Sequence, residues 1–254
     1  MDTTPFLEAA KEAAQSAAEV IRHYYQTQIE VERKDDDSPV TRADVESEQV
    51  IRSLLEERFP EHGFYGEETG RSDRESDFLW LVDPIDGTKS FVRQYPFFST
   101  QIALMYRDRM MIGVSSAPAF GELAWAAAGQ GAWLDGRPIR VSDVDRIERA
   151  SISTGNLATL ARGDRWARWG TIVARADRIR GYGDFYHYHL LASGRIDAVL
   201  ESDVNILDVA ALSLIVEEAG GRFTDLEGAP VGLGTTSVLA TNGALHGPIL
   251  EALG

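Results

Sequence analysis

The chain has 254 residues, 44% of them hydrophobic and 26% charged, enough to bury one large core or two closely packed ones. It has no cysteine, which excludes disulfides, thiolate zinc sites, iron–sulfur clusters and a cysteine nucleophile. A formal net charge of −15 argues against nucleic acid or anionic membrane as partners, and an anionic substrate would need a bound cation to offset that field. Residues 1–10 lack the basic and apolar regions of a signal peptide. No apolar run approaches the ~20 residues of a membrane span; the nearest, Ile206 to Val216, is interrupted by Asp208. A cytoplasmic location is expected.

In chain order, Phe6 to Gln26 places Phe6, Leu7, Ala10, Ala14, Ala17, Ala18 and Ile21 at helical spacing, predicting an amphipathic helix. Ile29 to Lys34 reads as a strand and Asp35 to Pro39 as a polar loop. A second helix spans Asp44 to Phe59 and stops before Pro60. Phe64 to Glu67 is short and extended, and Phe78 to Val82 is a buried strand ending at Asp83-Pro84. Thr100 to Trp133 predicts antiparallel hairpins, with turns at residues 107–108, 119–121 and 129–131. Beyond a soft boundary near residues 141–149 the pattern alternates. Strands are expected at 151–154, 179–182, 198–201, 222–224 and 238–240, and helices at 164–175, 185–193, 206–219 and 244–253. The division expected is an α+β half, 1–140, and an α/β half, 141–254.

The most informative segment is Trp80 to Ser90. A buried strand delivers Asp83 at its carboxyl end, where sheet enzymes bind ligands. Pro84 rules out ordinary continuation of the ladder, and a turn can bring Asp86 to the same point as Asp83. Gly87 permits close backbone approach, and a helix starting after it would offer the amides of Gly87 and Thr88 to an anion. Paired carboxylates suit the hard cation Mg²⁺. The plainer alternative is a capped turn, since Asp-Pro and Asp-Gly are common loop dipeptides. Gly66-Glu67-Glu68, after the hydrophobic pair Phe64-Tyr65 and one loop ahead of the aspartates, favours a site.

Gly66-Glu67-Glu68, then Asp83-Pro84-Ile85-Asp86-Gly87-Thr88, then Asp208-Val209-Ala210-Ala211 ahead of Glu217-Glu218-Ala219-Gly220-Gly221, strongly resemble the inositol monophosphatase-like superfamily of metal-dependent phosphatases. Thr41-Arg42-Ala43-Asp44 resembles a further element of that family, and the match runs from about Lys34 to Gly221. The resemblance implies an α/β fold, a layered α/β/α/β/α sandwich. It implies Mg²⁺, two ions per subunit with room for a third, weaker one near Glu67. Glu67, Asp83 and the main-chain carbonyl of Ile85 would hold one metal; Asp83, Asp86 and Asp208 would hold the other, with Asp83 bridging. Most of these ligands fall in the first half and Asp208 in the second. Thr88 and Asp44, hydrogen-bonded, would position or activate the attacking water together with Glu67. Gly87, Thr88 and Lys89 would face the phosphate of a small phosphorylated metabolite. The expected reaction is in-line attack by water, without a phosphoenzyme, in a homodimer.

Lys89-Ser90 stands where inositol phosphatases typically carry Thr-Asn. Ser116-Ala117-Pro118, the stretch 125–132, Arg180 to Phe185, and Leu207 in place of the usual Trp all resemble the histidinol-phosphatase branch. The resemblance also places Asp184 and Glu201 against the leaving group. Glu201 suits hydroxyls or cations, whereas Asp184 would gain charge-assisted bonds from the ammonium and imidazole of histidinol phosphate. The alternatives are inositol-1-monophosphatase or a broad sugar-phosphate phosphatase, and for Asp184 a turn role after Gly183. A nucleotide 3′-phosphatase lacks a suitable basic patch, and an intact acidic set argues against a non-catalytic regulator. His187 and His189 lie two apart at a helix start and should diverge rather than share a metal. Lys34 belongs either near the phosphate or in a solvated loop, and the stretch from Trp125 to Trp133 reads as sheet core and turns.

Overall fold

The computed structural model describes residues 1–25, 31–33, 39–72 and 74–254. Helix α1 (Thr4–Tyr24) begins with Pro5 in its first turn and buries Leu7, Ala10, Ala14, Ala17 and Ile21. Strands β1 (Val31–Arg33) and β2 (Pro39–Thr41) form a small antiparallel pair. Pro39 thus opens a strand rather than closing a loop, while residues 29, 30 and 34–38 lie outside the described residues. Helix α2 (Arg42–Arg58) starts on a capping box. Thr41 Oγ1 accepts from the Ala43 amide at 3.2 Å, and Asp44 Oδ2 accepts from the Thr41 amide at 2.8 Å.

Then follow β3 (Gly63–Gly66), β4 (Gly70–Arg71), β5 (Phe78–Asp86), α3 (Thr88–Val92), β6 (Ser99–Tyr106), β7 (Arg109–Ala117), β8 (Glu122–Ala127), β9 (Ala132–Leu134) and β10 (Arg137–Ile139). Eight strands make one sheet, in the order β10-β9-β8-β7-β6-β5-β3-β4. The hairpins expected between Thr100 and Trp133 are present as the antiparallel run β6 to β9. Trp125 and Trp133 stack across that sheet at 5.2 Å. The expected stop of β5 at Asp83 needs correction. Asp83 pairs with Gln101 and Asp86 with Ser99, so one extra residue bulges out at Pro84-Ile85 and the strand resumes. Proline removes one ladder bond without ending the strand.

A second sheet comes from β11 (Ser151–Thr154), β12 (Arg178–Arg180), β13 (Ala198–Ser202), β14 (Arg222–Thr224) and β15 (Ser237–Thr241), ordered β12-β11-β13-β15-β14. Between these strands run α4 (Ala158–Arg162), α5 (Arg165–Arg175), α6 (Tyr186–Ala192) and α7 (Ile206–Glu218), with α8 (His246–Leu253) at the end. Alternate residues of β5 face opposite layers. Trp80 and Val82 pack with α1 and α2, whereas Leu79 and Leu81 pack with Ile206, Leu207, Ala210 and Ala211 of α7. In β13, Val199 joins the α6–α7 layer, while Ala198 and Leu200 face Trp169 and Ile172 of α5 and Ile249 of α8. The result is the five-layered α/β/α/β/α sandwich. Helix α7 lies between two sheets, which is why every residue from Val209 to Val216 is buried. Its approach to β7 requires Gly113, where a Cβ would lie 2.5 Å from the Ala211 carbonyl oxygen. No helix among the described residues is long and apolar enough to cross a membrane.

Candidate metal centre and active site

The β5 bulge turns the Asp83–Asp86 segment towards the start of α7. One carboxylate oxygen each from Asp83, Asp86 and Asp208 lies within 4.8 Å of the others. Asp208 is held by the helix cap. The Asn205 amide and Asn205 Nδ2 donate to its two oxygens at 2.9 and 2.6 Å, and Asn205 Oδ1 accepts from the Leu207 amide. Glu67 follows β3, with its amide bonded to the Val82 carbonyl at 3.1 Å, so the sheet carries it beside Asp83. The Ile85 amide donates to Asp83 Oδ1 at 2.9 Å.

Such a cluster is electrostatically costly. Burial, then the charges of Glu67, Asp86 and Asp208, push Asp83 well above the usual carboxylate range. Burial, followed by Asp184, Asp208, Glu201 and Glu67, does the same to Asp86. Asp208 rises to about 7, chiefly through burial; the Asn205 amide opposes the rise, and the charges of Glu67 and Glu201 add to it. Among the described residues no lysine or arginine is ion-paired to Asp83, Asp86 or Asp208. Clustered oxygen donors without a side-chain cation and without sulfur suit a hard divalent metal, which would relieve the repulsion.

Beside this cluster, Thr88 Oγ1 lies 3.1 Å from Asp44 Oδ1 and 3.0 Å from the Ile85 carbonyl oxygen. Asp44 is fully buried at the start of α2, accepts Thr41 Oγ1 at 2.6 Å, and is raised by that burial. Helix α3 begins at Thr88, with Gly87 before it at φ +87°, where a Cβ would meet the Phe97 carbonyl oxygen at 2.5 Å. Only glycine suits that position. Lys89 is the next residue of the same turn.

Asp184 and Glu201 line a cleft of about 300 Å³ with Gly155, Asn156 and Gly183. Asp184 is a turn residue, at φ +45°, and also reaches inward, accepting Ser90 Oγ at 3.2 Å. Burial raises its carboxyl and Ser90 partly offsets this. Glu201 accepts the Tyr188 hydroxyl at 2.6 Å and the Asn156 amide at 3.2 Å, and lies 3.1 Å from His187 Nε2. Burial alone would raise Glu201, but His187, Tyr188 and Asn156 outweigh it and hold the carboxyl low. As Glu201 only accepts, His187 Nε2 carries the proton, and Nδ1 can accept from Ser153 Oγ at 3.2 Å. His189 turns the other way, to Glu122 and Ser115 at 3.1 and 2.9 Å, so the two histidines diverge as expected. Lys34 lies outside the described residues. The larger cavity, about 750 Å³ between Thr159, Arg165, Arg168 and Glu227, contains none of the expected site residues.

Sequence reasoning missed Asn205, Tyr188 and Asn156, and the partners of Ser90 and His187. Only Asn205 had a local signal, an N-cap residue three ahead of an acid. The others depend on contacts between distant segments.

The inositol monophosphatase family model matches residues 2–254. A histidinol-phosphatase from Mycobacterium tuberculosis is 42% identical over 230 residues, covering 89% of this chain and 88% of that protein. One from Chlorobaculum parvum is 33% identical over 252 residues, covering 99% and 97%. Tomato inositol monophosphatase 3 is 34% identical, covering 98% and 96%. Among solved structures, the inositol monophosphatase of Anabaena superposes with a TM-score of 0.86 at 31% identity, covering 100% and 96% of the two chains. The extragenic suppressor protein suhB of Bartonella henselae gives 0.91 at 30%, covering 98% of each. The chain belongs to the inositol monophosphatase family. It is a phosphoric monoester hydrolase of a metal-dependent class, acting on small phosphorylated substrates.

Proposed function

We propose that the enzyme hydrolyses histidinol phosphate to histidinol and phosphate with Mg²⁺ at the acidic cluster. The observation that carries this reading is Asp184. Among the described residues its carboxylate accepts one side-chain hydrogen bond, from the neutral Ser90, and forms no ion pair, although it lines the cleft beside the cluster. A carboxylate with that unused capacity suits a cationic leaving group. The histidinol-phosphatases at 42% and 33% identity support the same substrate.

Glu67, Asp83, the Ile85 carbonyl, Asp86 and Asp208 would hold two Mg²⁺ ions, and Glu67 would share in a weaker third. Bound Mg²⁺ would neutralise the phosphate and acidify water. Thr88 Oγ1, fixed between Asp44 and the Ile85 carbonyl, orients the attacking water, whose proton passes to Glu67 or, through the Thr88 hydroxyl, to Asp44. Gly87, Thr88 and Lys89 face the phosphate. Water oxygen bonds to phosphorus as the ester P–O bond breaks, and the departing alkoxide takes a proton from solvent water to become histidinol, the proton left on the carboxylate returning to solvent. Asp184 and Glu201 receive the amino and imidazole groups. The reading extends to a cytoplasmic homodimer; light scattering at the 28.0 kDa monomer mass across working concentrations would refute the dimer.

Inositol 1-phosphate is the second reading, favoured by the 34% identity to tomato inositol monophosphatase 3. Phosphate release from histidinol phosphate, inositol 1-phosphate, fructose 1,6-bisphosphate and 3′-phosphoadenosine 5′-phosphate, each with Mg²⁺ and with excess EDTA, decides between them. Preference for histidinol phosphate, lost in EDTA, is expected. Turnover undiminished by EDTA defeats the metal reading, and preference for another ester defeats the substrate reading.

A further inference from the structure

Helix α2 turns two buried carboxylates, Asp44 and Glu48, to one face, four residues and one helical turn apart. Asp44 reaches the β5–α3 turn through Thr88. Glu48 reaches the other acidic loop. Its side chain is fully buried, Oε2 accepts the Glu68 amide at 2.7 Å, and Oε1 accepts the Thr69 amide at 2.8 Å. Among the described residues no lysine or arginine is ion-paired to Glu48. Its partners are these two main-chain N–H groups, in short charge-assisted bonds. The space is reserved by glycine: a Cβ on Gly66 would lie 2.5 Å from Glu48 Cδ and Oε1.

We infer that Glu48 is a positioning residue for Glu67, acting through the backbone rather than by touching metal or substrate. Glu67 is fixed on its amino side by its own amide on the Val82 carbonyl at 3.1 Å. Glu48 fixes the two peptides on its carboxyl side. With both flanks held, the backbone at Glu67 is fixed and its carboxylate is presented to Asp83 without reordering the loop. A buried carboxylate bound to two donors cannot be replaced by an amide of the same shape, because a glutamine would oppose one N–H with another. The consequence for metal binding rests on the reading of Glu67 as a ligand; the clamp itself does not.

The test is a double-mutant cycle read by Mg²⁺ titration calorimetry on the full chain, with amide exchange on the metal-free protein. Glu48→Gln should weaken Mg²⁺ binding about 10–100-fold, the usual effect of losing a group that orients a ligand. In a Glu67→Gln background the same change should cost less than about twofold, because the clamp then holds nothing that binds. In the metal-free protein, Glu48→Gln should speed exchange at the Glu68 or Thr69 amide. Glu48→Asp keeps the charge but is one methylene too short; it should give the same pattern and stands in if the glutamine variant does not fold. An equal affinity loss in both backgrounds would make Glu48 a general structural residue and overturn the inference, as would unchanged affinity. Should wild type take up no Mg²⁺, the metal reading fails, and exchange alone decides: unaltered protection at Glu68 and Thr69 overturns the clamp.

Discussion

Thr88 Oγ1 stands almost equally far from Asp44 Oδ1 and the Ile85 carbonyl oxygen, at 3.1 and 3.0 Å. One hydroxyl proton cannot serve both acceptors fully. Donated to either, it leaves the threonine oxygen with lone pairs to accept a hydrogen bond from water. Because α2 holds Asp44 and the bulged strand holds Ile85, the orientation is set by two separate layers of the fold.

Thr88→Val, which keeps the shape and removes the hydroxyl, should therefore lower kcat by roughly 10²–10³-fold, within the range of a lost proton-transfer group. Mg²⁺ affinity should stay near wild type, since no metal role is assigned to the hydroxyl. Steady-state kinetics beside calorimetry separates the two. Wild-type kcat in the valine variant would remove Thr88 from water positioning.

The acidic strings were legible because each is local. Asp83 to Gly87 combines a strand end, a proline and a glycine within five residues, and turn chemistry links them without distant contacts. The long elements α1, α2 and α7 showed through their apolar spacing. What escaped was short or long-range. Strands β4 and β10 and helix α4 have two to five residues each, too few for periodicity to register. Proline at position 84 reads as a strand end in the sequence because a bulge depends on the partner strand, here Ser99 to Gln101. Glu48, His187 and Tyr188 gain meaning from residues 13 to 21 positions away. A lone buried glutamate within a charged helix carries no such sign.

Metal-free protein should lose stability as pH rises from about 4 to about 7. Asp208 titrates at about 7 in the folded chain against ~3.9 unfolded, so across this window the folded state retains a proton that the unfolded chain has lost. Asp83 and Asp86, also raised, act with the same sign. Saturating Mg²⁺, which needs ionised ligands, should cancel the decline. Urea midpoints at pH 5 and 7.5 in EDTA, compared with Asp208→Asn, isolate the effect. An identical pH dependence in wild type and variant would rule out this contribution.

Asp83→Asn should reduce turnover by about 10²-fold or more, the worth of the charge stabilisation that bound metal supplies. In EDTA the variant should melt at a higher temperature than wild type. Asp83 is buried among Glu67, Asp86 and Asp208, and neutralising it relieves their repulsion. Thermal scans in EDTA and in Mg²⁺ should therefore move in opposite directions relative to wild type. Retained wild-type kcat would exclude Asp83 as a ligand.

Asp184→Asn should separate the two substrates. If Asp184 pairs with a cationic leaving group, losing its charge should weaken histidinol phosphate by roughly 1.5–3 kcal/mol, the range for a hydrogen bond to a charged group. The loss should appear mostly in KM, because the amine lies away from phosphorus and is bound alike in the ground and transition states. Inositol 1-phosphate offers hydroxyls, which asparagine can still bond, so its kcat/KM should change little. Asp184 holds a left-handed backbone at φ +45°, a conformation asparagine also tolerates, so the substitution need not disturb the turn. Ser90 still finds an acceptor in the amide oxygen. Equal losses on both substrates would therefore assign Asp184 to holding the turn against Ser90, and the preference for a cationic leaving group would lose the residue that carries it.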